Sequence, residues 1–166
     1  AVENNRVRLI CMGHPGSLDE SLSLPLTRLG YVESEEKLCR VYSAADIFVL
    51  PSLEDNLPNT MLESMSCATP VLAFDTGGIP EAVIHNVTGI IVPHGDSKLM
   101  GQAIAAAIGD PGKLQRMSRE CRRAAEQKFA LQVQAQRTAE LYIDHLGGAE
   151  LKTAKARAAA PVADPI

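Results

Sequence analysis

The sequence lacks the features that mark several large classes of protein. It has no block rich in lysine and arginine, and its net charge is −4. It therefore shows no electrostatic sign of binding nucleic acid. No apolar run approaches the roughly 20 residues that span a bilayer, and the first residues are not built like a signal peptide. These absences make a reducing, cytoplasmic setting the expectation.

The cysteines and histidines show no pattern of metal binding or disulfide pairing. Cys11, Cys39, Cys67 and Cys121 lack C-x-x-C spacing, and the four histidines lack ligand spacing. We expect neither a disulfide nor a metal site, and we expect buried or half-buried thiols that pack as small hydrophobes. No P-loop and no G-x-G-x-x-G occurs, and nothing marks a serine as an activated nucleophile.

Short apolar runs alternate with segments of helical periodicity. The predicted strands are residues 6–12, 28–32, 46–50, 70–74 and 88–92. The predicted helices follow Ser34, Asn59 and the Gly77-Gly78 pair, and then cover residues 97–108, 111–129 and 132–146. Parallel strands need crossover connections, so the alternation predicts an α/β domain with a doubly wound, mostly parallel sheet and C-terminal helices. The Ala-rich residues 147–166 predict a disordered tail behind a domain of residues 1–146.

The stretch from Pro51 to Pro70, PSLEDNLPNTMLESMSCATP, joins a strand end, an acidic loop and a helix start. In an open α/β sheet, ligands bind outside the carboxyl ends of the strands, where helix N-termini present free N–H groups to anions. We therefore expect a phosphate-bearing ligand at this loop. The backbone N–H groups of Asn59, Thr60 and Met61 are the candidates to contact it.

Four runs in one order carry a family resemblance: ADIFVLPS, DNLPNTMLESM, ATPVLAFDTGGIPEAV and VTGIIVP. Together they resemble the C-terminal nucleotide-sugar domain of retaining family 4 glycosyltransferases, which have the two-domain GT-B fold. The resemblance runs from about Val7 to Tyr142. It implies the donor-binding half of an enzyme that transfers a sugar to a glycan, lipid or similar acceptor, with no metal or other cofactor. It also implies peripheral contact of the whole protein with the inner membrane face.

The family places two acidic residues eight positions apart, and here these are Asp55 and Glu63. The resemblance implies that Glu63 accepts hydrogen bonds from the ribose hydroxyls. It also implies that Asp55, one methylene shorter than the family's usual Glu, lies near the transferred sugar and its leaving phosphate. From the residues alone, Asp55 could instead shape the turn, and Glu63 could be a solvated charge near the positive end of a helix dipole.

The resemblance also places the nucleotide base near the end of the second strand, at Gly30, Tyr31 and Val32. Tyr31 is equally compatible with an ordinary strand position. The resemblance implies five further donor-binding residues besides these three. They are Asn56, Leu57, Asn59, Thr60 and Glu63. The Gly77-Gly78 pair permits a tight turn and a close backbone approach.

The resemblance implies more protein than this sequence contains. An N-terminal domain would hold the acceptor. The family's first strand, with a Gly-Arg turn and a Lys that neutralise the donor diphosphate, has no match here, so we expect a domain truncated at its N-terminal side. Without that Arg and Lys, the charge of the departing nucleotide diphosphate is stabilised less, and we therefore predict that this chain alone does not transfer sugar. The strands at 6–12 and 46–50 would flank the absent strand, and they should pair directly or recruit another chain.

Two alternatives stay open at this point. One is a nucleotide-sugar epimerase of the same two-domain architecture, although the DNLPN run followed by Glu63 favours the transferase. The other is a non-catalytic α/β interaction module of the receiver type. Such a module needs acidic residues after its first strand, where this sequence has Cys11-Met12-Gly13.

Overall fold

A computed structural model describes residues 7–13 and 24–146, and the predicted tail at 147–166 lies outside these ranges. The described strands are β1 (Leu9–Met12), β2 (Leu26–Gly30), β3 (Phe48–Leu50), β4 (Val71–Phe74) and β5 (Gly89–Val92). The described helices are α1 (Glu35–Ala44), α2 (Asn59–Ser66), α3 (Ile79–Ala82), α4 (Ser97–Ile108), α5 (Pro111–Ala124) and α6 (Leu131–Leu146), with a π-helical segment at Ala125–Phe129. Within these ranges, none of the helices combines the length and the apolar character needed to cross a membrane.

The described strands form two sheets, and the strands within each sheet are parallel. β1 pairs with β2, and β3, β4 and β5 pair in that order. The predicted α/β class with parallel strands is confirmed. Direct pairing of the strands predicted at 6–12 and 46–50 is wrong, because β1 lies in the two-stranded sheet and β3 in the three-stranded sheet. The Thr69 hydroxyl donates to the Tyr42 carbonyl oxygen at 2.6 Å, which holds the end of α1 beside the start of β4.

β4 lies at the centre of the three-stranded sheet, and all four of its residues are buried. Its alternate side chains face opposite layers, as the two-residue period of a strand requires. Val71 and Ala73 pack in a cluster with residues of α2 and the end of α5. Leu72 and Phe74 pack in a second cluster with residues of α4 and α5. Helices therefore cover both faces of this sheet, as in a doubly wound fold.

Side-chain caps fix where three helices begin. Ser34, Asp96 and Asp110 each accept a hydrogen bond from the backbone N–H three residues later, at 3.4, 2.8 and 2.9 Å. The predicted starts at 97 and 111 are confirmed.

The predicted end of the second strand at residue 32 is wrong. Gly30 adopts a left-handed conformation, with φ +65°, and β2 ends there. Tyr31 and Val32 therefore lie beyond the strand.

Candidate functional site

Two loops lie side by side at the carboxyl ends of β3 and β4. We call residues 51–58 the acidic loop and residues 75–78 the glycine turn. The Thr76 hydroxyl donates to the Leu53 carbonyl oxygen at 3.0 Å, and the Gly78 N–H donates to the Asn56 carbonyl oxygen at 2.6 Å. These two bonds hold the backbone of the acidic loop at the edge of the sheet where open α/β folds bind ligands.

The glycine turn needs both of its glycines. Gly77 has φ +50°, and a Cβ at this position would overlap the Asp55 carbonyl oxygen and lie 2.9 Å from its carbonyl carbon. A Cβ on Gly78 would lie 2.5 Å from the Asn56 carbonyl oxygen. The pair is therefore more than a flexible turn, because it lets one backbone approach the other closely.

Most side chains of the acidic loop are exposed, whereas hydrogen bonds from the glycine turn hold its backbone in place. Asp55 and Asn56 are exposed, and Leu57 is 37% exposed. Pro58, at the end of the loop, is buried and leads directly into α2. The loop thus presents a carboxylate to solvent from a fixed backbone position.

The start of α2 offers two backbone donors rather than three. The Met61 N–H donates to the Pro58 carbonyl oxygen at 3.1 Å, so the prediction that Met61 contacts an anion is not supported. Asn59 and Thr60 are exposed residues of the first turn, and no side chain caps this helix. First-turn N–H groups have no acceptor within their own helix and are available to an anion.

Glu63 is held by a partner on another helix. Its Oε2 atom accepts a hydrogen bond of 3.1 Å from the hydroxyl of Tyr42 on α1. Tyr42 is only 2% exposed, and Glu63 is half-buried. Burial, and then the neighbouring Glu63 carboxylate, raises the pKa of the Tyr42 hydroxyl, so this group remains a donor at neutral pH. Glu63 is therefore an oriented acceptor rather than a freely solvated charge.

Glu63 and Asn59 line the same depression between two helices. This α1–α2 groove encloses about 400 Å³, and its lining includes Glu35, Leu38, Tyr42, Asn59 and Glu63. Asp55, on the acidic loop, is not among the residues that line it. The groove offers carboxylate oxygens beside a helix N-terminus, a combination suited to a ligand that carries both hydroxyls and phosphate.

The three residues predicted to contact a nucleotide base lie at the end of β2. The Gly30 carbonyl oxygen accepts a hydrogen bond of 2.7 Å from the Gly13 N–H, while Val32 is half-buried. Tyr31 is 81% exposed, so its ring offers a flat apolar surface to solvent. The lining of the α1–α2 groove includes none of the three.

Sequence reasoning did not identify the role of Tyr42. A buried tyrosine needs a partner for its hydroxyl, and that need is a signal. The partner lies 21 residues away, so no local pattern identifies it.

A larger cavity of about 1100 Å³ lies away from the acidic loop. It is bounded by Asp46 and Pro70, which precede β3 and β4, and by the end of α4. It therefore lies at the amino ends of the strands, whereas open α/β sheets bind ligands at the carboxyl ends. We assign no ligand to it. Within the described ranges, no three His, Cys, Asp or Glu side chains cluster so as to hold a metal ion.

Sequence comparison identifies relatives of known activity. A family model described as glycosyl transferases group 1 matches residues 1–110. The alpha-maltose-1-phosphate synthase of Mycobacterium tuberculosis is 35% identical over 64% of this chain and 29% of its own length. The D-inositol 3-phosphate glycosyltransferase of Thermobispora bispora is 32% identical over 86% of this chain and 36% of its own length. The chain thus spans about a third of these relatives.

Solved structures show the same fold. The sucrose-phosphate synthase of Thermosynechococcus elongatus matches with a TM-score of 0.72 and 26% identity, over 84% of this chain and 38% of the other. HepE of Anabaena, solved in complex with UDP-glucose, matches with a TM-score of 0.66 and 25% identity, over 74% of this chain and 33% of the other.

Proposed function

Because this chain belongs to the group 1 glycosyl transferases, we propose that it forms the donor-binding half of a retaining glycosyltransferase of family 4. In this proposal the chain holds a nucleotide sugar at the carboxyl edge of the β3-β4-β5 sheet. The observation that carries the proposal is the Glu63 carboxylate, oriented by Tyr42 in a groove that opens at the N-terminus of α2. HepE, whose fold this chain shares, was solved with UDP-glucose bound.

Glu63 is suited to bind the ribose. An ionised carboxylate only accepts hydrogen bonds, and its two oxygens offer about four acceptor sites. Tyr42 occupies one of these sites and fixes the direction of the others. Two vicinal ribose hydroxyls can then donate to the remaining sites, and a fixed acceptor loses less entropy on binding than a mobile one.

The diphosphate and the sugar fit next to the ribose. The first-turn N–H groups of Asn59 and Thr60, with the positive end of the α2 dipole, would bind the diphosphate. The base would lie against Gly30, Tyr31 and Val32, and Asn56 and Leu57 would border the donor. The exposed Asp55 carboxylate would lie near the anomeric carbon, where it can stabilise the positive charge that develops as the phosphate leaves. No metal or other cofactor enters this proposal.

The acceptor, a glycan, lipid or similar molecule, would bind outside the described residues. We propose that this chain alone binds the donor without transferring the sugar. The relatives named above are synthases and a glycosyltransferase, which favours transfer over the epimerase and the interaction module. The cytoplasmic setting with peripheral membrane contact remains part of the proposal for the whole protein.

An amide NMR titration of the chain with UDP, GDP and ADP tests the donor site. We expect one nucleotide to shift the signals of Gly30–Val32 and Asn59–Glu63, and we expect Glu63→Gln to weaken its binding. Glu140→Gln is the matched control, because Glu140 is a half-buried carboxylate on α6, as Glu63 is on α2, and it accepts a hydrogen bond from Gln136 of its own helix. The proposal fails if Glu63→Gln binds as tightly as the unaltered chain, or if the shifts map to the cavity at the amino ends of the strands.

A further inference from the structure

Two of the four cysteines face each other across two helices. The Sγ atoms of Cys39, on α1, and Cys67, which follows α2, are 3.6 Å apart. Cys39 is exposed and Cys67 half-buried, so the prediction of buried or half-buried thiols is wrong for Cys39. Cys121, in contrast, is buried, and its thiol donates to the Thr88 carbonyl oxygen at 2.6 Å. The facing pair is accessible to reagents in solution.

The thiol pair lies one helical turn from the hydrogen bond between Tyr42 and Glu63. Cys39 precedes Tyr42 by three residues on α1, and Cys67 follows Glu63 by four residues on α2 and its cap. Residues three or four apart share one helix face. The two contacts are therefore successive links of the same α1–α2 interface.

We propose that Cys39 and Cys67 form a site of reversible oxidation, at which a disulfide ties α1 to α2. A disulfide has an S–S distance of about 2.05 Å, so the two sulfur atoms must approach each other by roughly 1.5 Å. Side-chain rotation on two packed helices can supply much of that movement. The disulfide would close a loop through β3 and the acidic loop, and so constrain the segment that carries the candidate site.

Oxidation needs an acceptor of two electrons, and a small disulfide such as oxidised glutathione provides one. The Cys39 thiolate attacks a glutathione sulfur, forms a mixed disulfide and releases one reduced glutathione. The Cys67 thiolate then attacks the Cys39 sulfur and releases the second. Two thiols lose two protons and two electrons, and one glutathione disulfide becomes two glutathione thiols. A dithiol reductant reverses both steps.

The environments of the two thiols set the order of attack. Cys39 is exposed and meets the oxidant first. Burial, and then the hydrogen bond with Cys39, raises the pKa of the Cys67 thiol, although Arg122 and Ser43 oppose the rise. A thiol with a raised pKa is a poor first nucleophile, because the thiolate is the reactive form. Cys67 suits the role of the resolving thiol.

Peptide mapping tests the proposal without reference to nucleotide binding. The 166-residue chain is incubated with a glutathione redox series, quenched with acid and an alkylating reagent, and digested with trypsin. We expect the tripeptide of residues 38–40 to be linked to the peptide of residues 41–98, with the loss of two hydrogen atoms. Cys39→Ser and Cys67→Ser should abolish the link, and Cys11→Ser, which removes a half-buried thiol elsewhere, should leave it intact. We also expect oxidation to raise the Tm by at least roughly 5 °C.

A second measurement covers the case in which the oxidised chain does not stay folded. Phenylarsine oxide, which bridges two close thiols, should protect both cysteines of the reduced chain from alkylation at one equivalent. Either single Ser variant should lose this protection. Linked peptides that persist in Cys39→Ser, or mixed glutathione disulfides without any linked peptide, would overturn the proposal, as would alkylation of the two thiols unaffected by the arsenical.

Discussion

Gly77→Ala tests whether the glycine turn positions the acidic loop. The new Cβ would overlap the Asp55 carbonyl oxygen and lie 3.3 Å from the Asn56 Cα. All of these contacts are with backbone atoms, so no side-chain rotation can relieve them. The acidic loop must move away from the turn, or the turn must open.

The structure gives the size of the effect. A non-glycine residue in the left-handed region, where Gly77 has φ +50°, costs about 1–2 kcal/mol. Separating the loop from the turn stretches the bonds Thr76–Leu53 and Gly78–Asn56, each worth about 0.5–1.5 kcal/mol. We therefore expect Gly77→Ala to lower the free energy of unfolding by about 2–5 kcal/mol. Gly78→Ala should cost less, because Gly78 has φ −88° and its Cβ would meet one carbonyl oxygen at 2.5 Å.

Urea unfolding and amide NMR spectra measure these changes. Gly101→Ala is the control, because Gly101 is an exposed residue of α4 with open space around its Cβ position. Replacing it should stabilise the helix by up to about 1 kcal/mol. Amide shifts in Gly77→Ala should concentrate in the acidic loop, around Asp55 and Asn56. Unfolding within about 0.5 kcal/mol of the unaltered chain, with an unchanged loop spectrum, would refute the reasoning.

Three further predictions concern the Tyr42 hydroxyl, the buried thiol of Cys121 and the edges of the sheets. Tyr42→Phe removes the donor to Glu63, so it should lower the free energy of unfolding by about 0.5–1.5 kcal/mol and weaken nucleotide binding. Urea unfolding and the amide NMR titration measure the two effects, and unchanged binding would contradict the orienting role of Tyr42. Burial raises the pKa of Cys121 from 9.0 to about 12 and also raises that of Tyr42. The folded chain therefore keeps protons that the unfolded chain loses. The stability that the Cys121 thiol contributes below pH 9 should fall by about 1.4 kcal/mol per pH unit between pH 9 and about 12, and a further loss through Tyr42 should begin above its ordinary pKa of 10. Urea unfolding between pH 8 and 11 checks this, and Cys121→Ala should flatten the slope. Recruitment of another chain by the edges of β1 and β3 that no described strand covers remains a prediction. Sedimentation velocity should show mass rising with concentration, and a monomer at every concentration would contradict it.

Local sequence patterns predicted the helices and strands. The side-chain pairs of the candidate site and the pairing of the strands depend on contacts between residues far apart in the sequence. The helix at residues 97–108 was predictable because its cap, Asp96, and its apolar spacing lie within its own sequence. The hydrogen bond from Tyr42 to Glu63 joins residues 21 apart, and the thiols of Cys39 and Cys67 are 28 apart. Nothing within one helix marks either pair. The division into two sheets was unpredictable for the same reason, since strand pairing joins residues that are distant in the sequence.

The two acidic residues of the candidate site are held in different ways, and this makes their roles separable. Asp55 is positioned through its backbone, by the glycine turn, while its side chain stays exposed. Glu63 is positioned through its side chain, by Tyr42. Gly77→Ala should therefore displace Asp55 while the contact between Tyr42 and Glu63 survives, and Tyr42→Phe should do the reverse. If the proposed donor site is correct, the first variant retains more nucleotide affinity than the second, because the nucleotide contacts Glu63 whereas the sugar lies near Asp55.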